Sequence, residues 1–332
     1  MRKKVSIGTL LLISLLVSLI TYSVPKYFAK QMQKEATPAT PLCKTEMDQI
    51  RLNNYKYAKP LVLANINDEN PSLLSLRSSI EQYITKTKAE GMVDDLSVYF
   101  RRLNDGSWFC LNPDEAYNPA SMSKVIFLIS YLKDAEINPG ILNKKIYFER
   151  HFSEVYNQNI KDFELKQKTY YTVRELLNIM ITYSDNDATV LLIQNLNEKT
   201  YEKVFADFHI PLPPRVGEYA ITVSDFSKFF RALYNATYIR PDLSELGLEI
   251  LTHSTYSKGL RRGVDSSVEI AHKFGERIID ANVQLHEFGI VFTDGEPYLI
   301  GVMTKGKSLQ DLSEVIAGIS KIAFTDYHRA NG

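Results

Sequence analysis

Cysteine is nearly absent from this chain: its 332 residues hold two, Cys43 and Cys110. Two cysteines cannot staple a disulfide-dense scaffold. Six scattered histidines add no metal-ligand spacing, so no metal is expected, and no motif asks for a cofactor. An excess of one charge is also lacking. Lys+Arg and Asp+Glu balance at 39 each, and there is no basic aromatic stripe, which argues against a nucleic-acid partner. Internal repeats and long low-complexity tracts are missing. What remains is the composition of an ordinary globular protein, 45% hydrophobic and 23% charged, with room for one large or two smaller domains.

Long apolar runs are scarce, but one stands at the start. Val5 to Val24 is uncharged and mostly apolar. At the helical rise it spans about 30 Å, enough to cross a bilayer. Arg2, Lys3 and Lys4 precede it, so the N-terminus is expected to stay inside and the rest to be exported, facing the periplasm or the cell surface. The alternative is a signal peptide whose cleavage releases a secreted protein. Tyr22-Ser23-Val24 before Pro25 makes a poor cleavage site, so an uncleaved anchor over residues 1–24 is the expectation. Residues 25–66 read as a polar stalk, with Ala36-Thr37-Pro38-Ala39-Thr40-Pro41. Cys43 falls in the stalk and Cys110 in an expected strand. They can pair in an exported protein, but a buried Cys110 thiol is the favoured expectation.

Leu73 to Lys88 has helical spacing. Leu96 to Phe100 and Trp108 to Leu111 read as strands joined through Asn104-Asp105-Gly106. From about Pro139 the pattern turns helical. Thr172-Val173-Arg174-Glu175 is a capping box, and Thr222-Val223-Ser224-Asp225 opens a further helix. Strands return at Val268 to Phe274, Val283 to Thr293 and Tyr298 to Thr304, with Asp294-Gly295 turning the last pair. Leu309 to Phe324 is an amphipathic closing helix. The implied fold is α/β, an α+β sandwich. An antiparallel five-stranded sheet is built from both ends of the chain and covered by the N- and C-terminal helices, with an all-helical region inserted. Residues 67–139 and 262–325 form the sheet lobe, 140–261 the helical lobe, and 326–332 a tail. Sites tend to sit where two such lobes meet.

Three short stretches carry candidate chemistry. Asn118-Pro119-Ala120-Ser121-Met122-Ser123-Lys124 opens an apolar helix, with Asn118 as a plausible N-cap and Pro119 at the first helical position. Backbone N–H groups there lack intrahelical partners. Lys124 follows Ser121 by three residues on the same helix face. A hydroxyl, an amine and unused N–H donors are the parts of an acyl-transfer site. The pattern is weak alone, since Ser-x-x-Lys recurs at Ser23/Lys26 and Ser130/Lys133. Ser184-Asp185-Asn186 sits between two helices. It reads as a connector with Ser184 or Asn186 as N-cap, or as a hydroxyl that passes a proton beside an amide that holds a carbonyl. His272-Lys273-Phe274-Gly275 closes a strand. Lys273 brings a second positive charge, and Gly275 permits close backbone approach at a sheet edge.

Taken in order, Ser121-x-x-Lys124, Ser184-Asp185-Asn186 and Lys273-x-Gly275 resemble the penicillin-recognising serine enzymes, and most closely the class A β-lactamase-like proteins. Flanking stretches resemble the family too: Leu111 to Ala116 leading to Pro119-Ala120-Ser121, Ile181 to Ala188, and His286-Glu287-Phe288-Gly289-Ile290-Val291. The likeness covers roughly residues 70–325, the greater part of the 67–325 domain. It implies that Ser121 is the nucleophile and Lys124 the base or proton relay. Ser184 would carry a proton to the leaving nitrogen, and Asn186 would orient the substrate amide. Lys273 would lower the Lys124 pKa and attract a substrate carboxylate. The oxyanion donors would be the backbone N–H groups of Ser121 and Glu276. The implied partner is a β-lactam or a cell-wall peptide.

Two positions depart from the family pattern. Phe274 stands where the family has a carboxylate-binding Thr or Ser. Class A enzymes also carry a Glu in a long loop after the Ser-Asp-Asn motif, where it activates the deacylating water. Here the loop His209 to Tyr219 is short, and Glu218 is its only carboxylate and so the candidate base. The expectation is a serine hydrolase that is acylated by, and hydrolyses, β-lactam amides. The alternatives are a D-Ala-D-Ala peptidase of cell-wall peptides and a non-hydrolytic penicillin-binding sensor.

Overall fold

The computed structural model describes residues 49–52, 61–64, 71–152, 163–214, 217–279, 281–293 and 296–331. The apolar run 5–24, most of the expected stalk, Cys43 and the Asp294-Gly295 turn lie outside the described residues. Among those described, no helix is long and apolar enough to cross a membrane.

In chain order the elements begin with β1 (Gln49–Arg51), β2 (Leu61–Ala64), α1 (Leu74–Ala89), β3 (Asp95–Arg102), β4 (Trp108–Leu111) and β5 (Ala116–Tyr117). A 3-10 turn, Ala120–Ser123, leads into α2 (Lys124–Ala135). Then come β6 (Lys145–Phe148), β7 (Thr169–Thr172), α3 (Val173–Thr182), α4 (Asn186–Asn195) and α5 (Glu198–Asp207). The chain continues through β8 (Ile221–Thr222), α6 (Val223–Tyr234) and α7 (Pro241–Thr252). It closes with β9 (Glu269–Ile279), β10 (Asn282–Phe292), β11 (Tyr298–Gly306) and α8 (Leu309–Asn331).

The central sheet has five antiparallel strands in the order β4-β3-β11-β10-β9, built from both ends of the chain as expected. Successive side chains on a strand face opposite sides, so each strand feeds two cores. Val98, Phe100, Ile300 and Val302 join Ile80 of α1 and Val315 and Ile319 of α8. Tyr99, Cys110, Phe288, Leu299 and Met303 instead join α2, α3 and α6. Apolar burial on both faces explains why these strands read as nearly continuous apolar runs. β9 is an edge strand, and its outer side packs on the 120–123 turn.

The capping signals are realised. Thr172 Oγ1 accepts from the Glu175 N–H at 3.2 Å, while Glu175 Oε2 accepts from the Thr172 N–H at 2.7 Å. Thr222 Oγ1 caps α6 by accepting from the Asp225 N–H at 3.1 Å.

Four details differ from the sequence reading. The inserted region is not wholly helical, because β6 and β7 pair within it. Ile146 and Phe148 point in while Lys145 and Tyr147 point out, a period of two that the neighbouring helices mask. Part of the expected stalk is folded: β1 pairs with β2 and buries Ile50, Val62 and Leu63. The Ala64 carbonyl there accepts from Arg231 Nη2 of α6 at 2.9 Å. The expected tail continues α8 as far as Asn331. The α2 helix also begins later than expected. Ala120 has φ +48°, which no α-helix tolerates, so Ser121 lies in a 3-10 turn and Lys124 is the first α-helical residue. Pro119, not Asn118, is the residue that precedes the turn, and Asn118 Oδ1 instead accepts from the Ala120 N–H at 3.0 Å.

Candidate active site

Lys124 is the hub. It opens α2 with its side chain buried, and its Nζ reaches four acceptors. These are Ser121 Oγ at 3.1 Å, Ser184 O at 2.5 Å, Ser184 Oγ at 3.1 Å and Asn186 Oδ1 at 2.9 Å. An ammonium has three protons to donate. Two of the four oxygens are pure acceptors and two are hydroxyls, so a neutral amine can donate to Ser184 O and Asn186 Oδ1 and accept from one hydroxyl. Burial lowers the Lys124 pKa to about 7, against an opposing pull from the Asp185 and Glu276 carboxylates. Burial therefore favours the free base relative to an ordinary lysine.

The Ser184–Asn186 segment meets Lys124 because of two local devices. Ser184 adopts φ +53°, a left-handed conformation costly for a non-glycine residue, which turns both its carbonyl and its hydroxyl onto the amine. Asp185, rather than either neighbour, caps α4: its Oδ1 accepts from the Ala188 N–H at 2.7 Å. With the capping done by Asp185, the side chains of Ser184 and Asn186 face Lys124.

Gly275 brings the third stretch in. A Cβ at this position would lie 2.5 Å from Pro119 O and 2.9 Å from Met122 N. The edge of β9 therefore rests directly on the turn that carries Ser121. Glu276, whose N–H is the expected second oxyanion donor, is the next residue on that edge. Lys273 is wholly buried, and its pKa lies well below the ordinary lysine value, through burial first and the nearby Lys124 charge second.

The structure thus draws Ser121, Lys124, Ser184 and Asn186 around one nitrogen, with Lys273, Gly275 and Glu276 on the adjoining strand. Glu218 sits differently. It is exposed, with Oε1 accepting from Arg277 Nη2 at 2.5 Å and Oε2 from Asn118 Nδ2 at 3.2 Å. These bonds lower its pKa and make it a weaker base than a free carboxylate.

Several contributors escaped the sequence reading. His286 is buried under the approach to the turn. Its Nδ1 accepts from the Thr304 N–H at 3.0 Å, and its ring meets the Tyr117 ring edge-on at 5.3 Å. Burial drives its pKa to about 3, so it stays neutral and acts as a peg. His272 Nδ1 lies 2.6 Å from Glu287 Oε1, a buried pair behind Lys273. Tyr256 stacks on Phe274. The adjacent His272 and Lys273 were one signal; the partners came from other strands and loops.

A nucleophile-capable hydroxyl, a buried amine of low pKa and a second hydroxyl on the same nitrogen have the makings of a serine acyl-transfer site. The family model of the Beta-lactamase enzyme family matches residues 75–327, and the chain belongs to that family. No curated protein sequence matches it significantly. Among solved structures it is similar to a point mutant of PBP-A in an acyl-enzyme complex with penicillin G. That match has 20% identity and a TM-score of 0.65, covering 80% of this chain and 100% of that one. It is also similar to a β-lactamase from Sphaerobacter thermophilus, at 18% identity and TM-score 0.65 over 76% of this chain and 97% of that one. A class A β-lactamase from Mycobacterium abscessus matches at 17% identity and TM-score 0.63, over 75% of this chain and 99% of that one.

Proposed function

We propose that the protein is a serine hydrolase acylated on Ser121 by β-lactam amides. The observation that carries this reading is the Lys124 amine, 3.1 Å from both Ser121 Oγ and Ser184 Oγ. Ser121 Oγ attacks the carbonyl carbon as its proton passes to Lys124 Nζ. The oxyanion is received by the N–H groups of Ser121 and Glu276. The C–N bond then breaks, and the proton returns through the Ser184 hydroxyl to the leaving nitrogen, while Asn186 holds the substrate amide. The product of this half-reaction is an ester on Ser121, which water must cleave. Family membership and the folds of PBP-A and the class A β-lactamases support the reading.

The test is intact mass of the full chain during incubation with penicillin G. A covalent adduct in the wild type, missing in Ser121→Ala, is expected. No adduct in the wild type with either penicillin G or its methyl ester overturns the assignment. The adduct is expected to persist, because Glu218 is committed to Arg277 and Asn118. A long-lived adduct is also how a cell-wall peptidase or a sensor would respond, and the short loop favours those readings over rapid turnover. Glu218→Gln should leave adduct lifetime within about twofold of wild type; a general base typically contributes about 100-fold or more. A much longer lifetime in the variant would restore Glu218 as the water-activating base. The apolar run 5–24 and Arg2, Lys3 and Lys4 support anchorage to a membrane with the catalytic domain outside.

A further inference from the structure

The Lys273 side chain does not face an open anion site. Its Nζ donates to the Phe274 carbonyl at 2.9 Å and lies 4.0 Å from the centre of the Phe274 ring. That ring stacks on Tyr256, with centroids 4.1 Å apart and planes 17° from parallel. Lys273 is 0% exposed, Phe274 5% and Tyr256 7%, so the amine is enclosed. Phe274 has no hydroxyl to offer in its place.

The anions that a buried amine needs are already supplied by the protein. Glu276 and Glu287 both act on Lys273, and Asp185 and Glu276 both act on Lys124. Glu287 is immovable. It is 0% exposed, its Oε1 is paired with His272, and its Oε2 accepts from the Leu260 N–H at 2.8 Å. Gly259 presses so closely that a Cβ there would lie 1.9 Å from Glu287 Oε2. A substrate carboxylate would therefore find the Lys273 amine already covered by the Phe274 ring, with no hydroxyl at position 274 to receive it. It would also add to the negative charge of Glu276 and Glu287, which already act on that amine. Repulsion between like charges strengthens where water is excluded.

Resting on the acyl-enzyme reading of Ser121, we propose that the site selects acyl donors with no carboxylate on the leaving-group side. Internal amides and esterified lactams are taken ahead of free acids, and the Tyr256–Phe274 stack behind Lys273 sets the preference. For a peptide, this means cleavage within a chain rather than removal of a terminal residue.

The proposal is tested with a matched pair of probes, benzylpenicillin and its methyl ester. Each acylation rate of the full chain is followed by intact mass and divided by that probe's own hydrolysis rate in buffer. The ester is expected to acylate Ser121 at least about tenfold faster on this scale. In Phe274→Thr the ratio should fall, through a faster rate for the free acid. If wild type takes the free acid as fast as the ester or faster, the proposal is overturned and the acyl-enzyme reading stands. If neither probe labels Ser121, the acyl-enzyme reading falls and the proposal falls with it. The wild-type comparison decides the matter even if the variant fails to fold.

Discussion

Acylation of Lys124→Met is expected to run about 100- to 10,000-fold slower than wild type, the range a positioned general base supplies. The methionine fills a similar volume but cannot take a proton from Ser121. Thermal melting separates this loss from unfolding. Removing a buried amine relieves its desolvation, while Ser184 O and Asn186 Oδ1 lose a donor, so the two effects on stability oppose each other. The pH profile of the wild type carries the same information. The reactive form of Lys124 is neutral, and burial has brought its pKa down to about 7. Lowering the pH below that value protonates the amine, so the acylation rate should fall about tenfold per pH unit there and level off above. A limb near the ordinary lysine value of 10.5 would mean that burial does not lower the pKa of the base, and a profile with no limb at either value would mean that Lys124 is not the base. The profile is measured on the acylation step, with a probe that has no ionisable group of its own in this range.

Gly275→Ala is expected to cost about 100- to 1000-fold in acylation rate, the loss typical of one missing oxyanion donor. The argument is steric. The added methyl would sit 2.5 Å from Pro119 O and 2.9 Å from Met122 N, and both are backbone atoms of the nucleophile turn. Neither can swing aside as a flexible side chain would. The edge of β9 must move away from the turn, which parts the N–H of Glu276 from the N–H of Ser121. Overpacking of this kind typically costs about 1–3 kcal/mol of stability as well. The diagnostic is a fall in the rate constant for acylation larger than any rise in the concentration of half-saturation, in protein that still melts cooperatively. A variant with wild-type acylation would show that β9 and the turn can separate without harm.

These effects depend on residues whose roles were readable to different degrees. The sheet strands announced themselves because each feeds two cores, and Thr172 and Thr222 announced their helices because a cap is a local hydrogen bond. The β6–β7 ribbon did not, since Ile146 and Phe148 show a period of two over only four residues beside long helical patterns. The start of α2 was misplaced by three residues or more. Nothing local shows that Ala120 takes φ +48°, which contacts with β9 and β10 accompany. Ser184, Asp185 and Asn186 are all good caps standing in a row, so the sequence does not single out Asp185 as the one that caps α4.

Ser121, Lys124, Ser184, Asn186, Lys273 and Gly275 could be named from the chain, because their chemical types and order make up a pattern that needs no coordinates. The folded molecule alone decided what those groups are. Lys124 lies 60 residues from Ser184 in sequence yet 2.5 Å from its carbonyl, and a burial that no local stretch encodes lowers its pKa to about 7. The same holds for Lys273, which the family resemblance gives the role of attracting a substrate carboxylate and which the fold buries against the Phe274 ring. Residue identity sets which protons a side chain can hold. Solvent exclusion and neighbouring charge set whether it holds them, and both arise only when distant segments pack together.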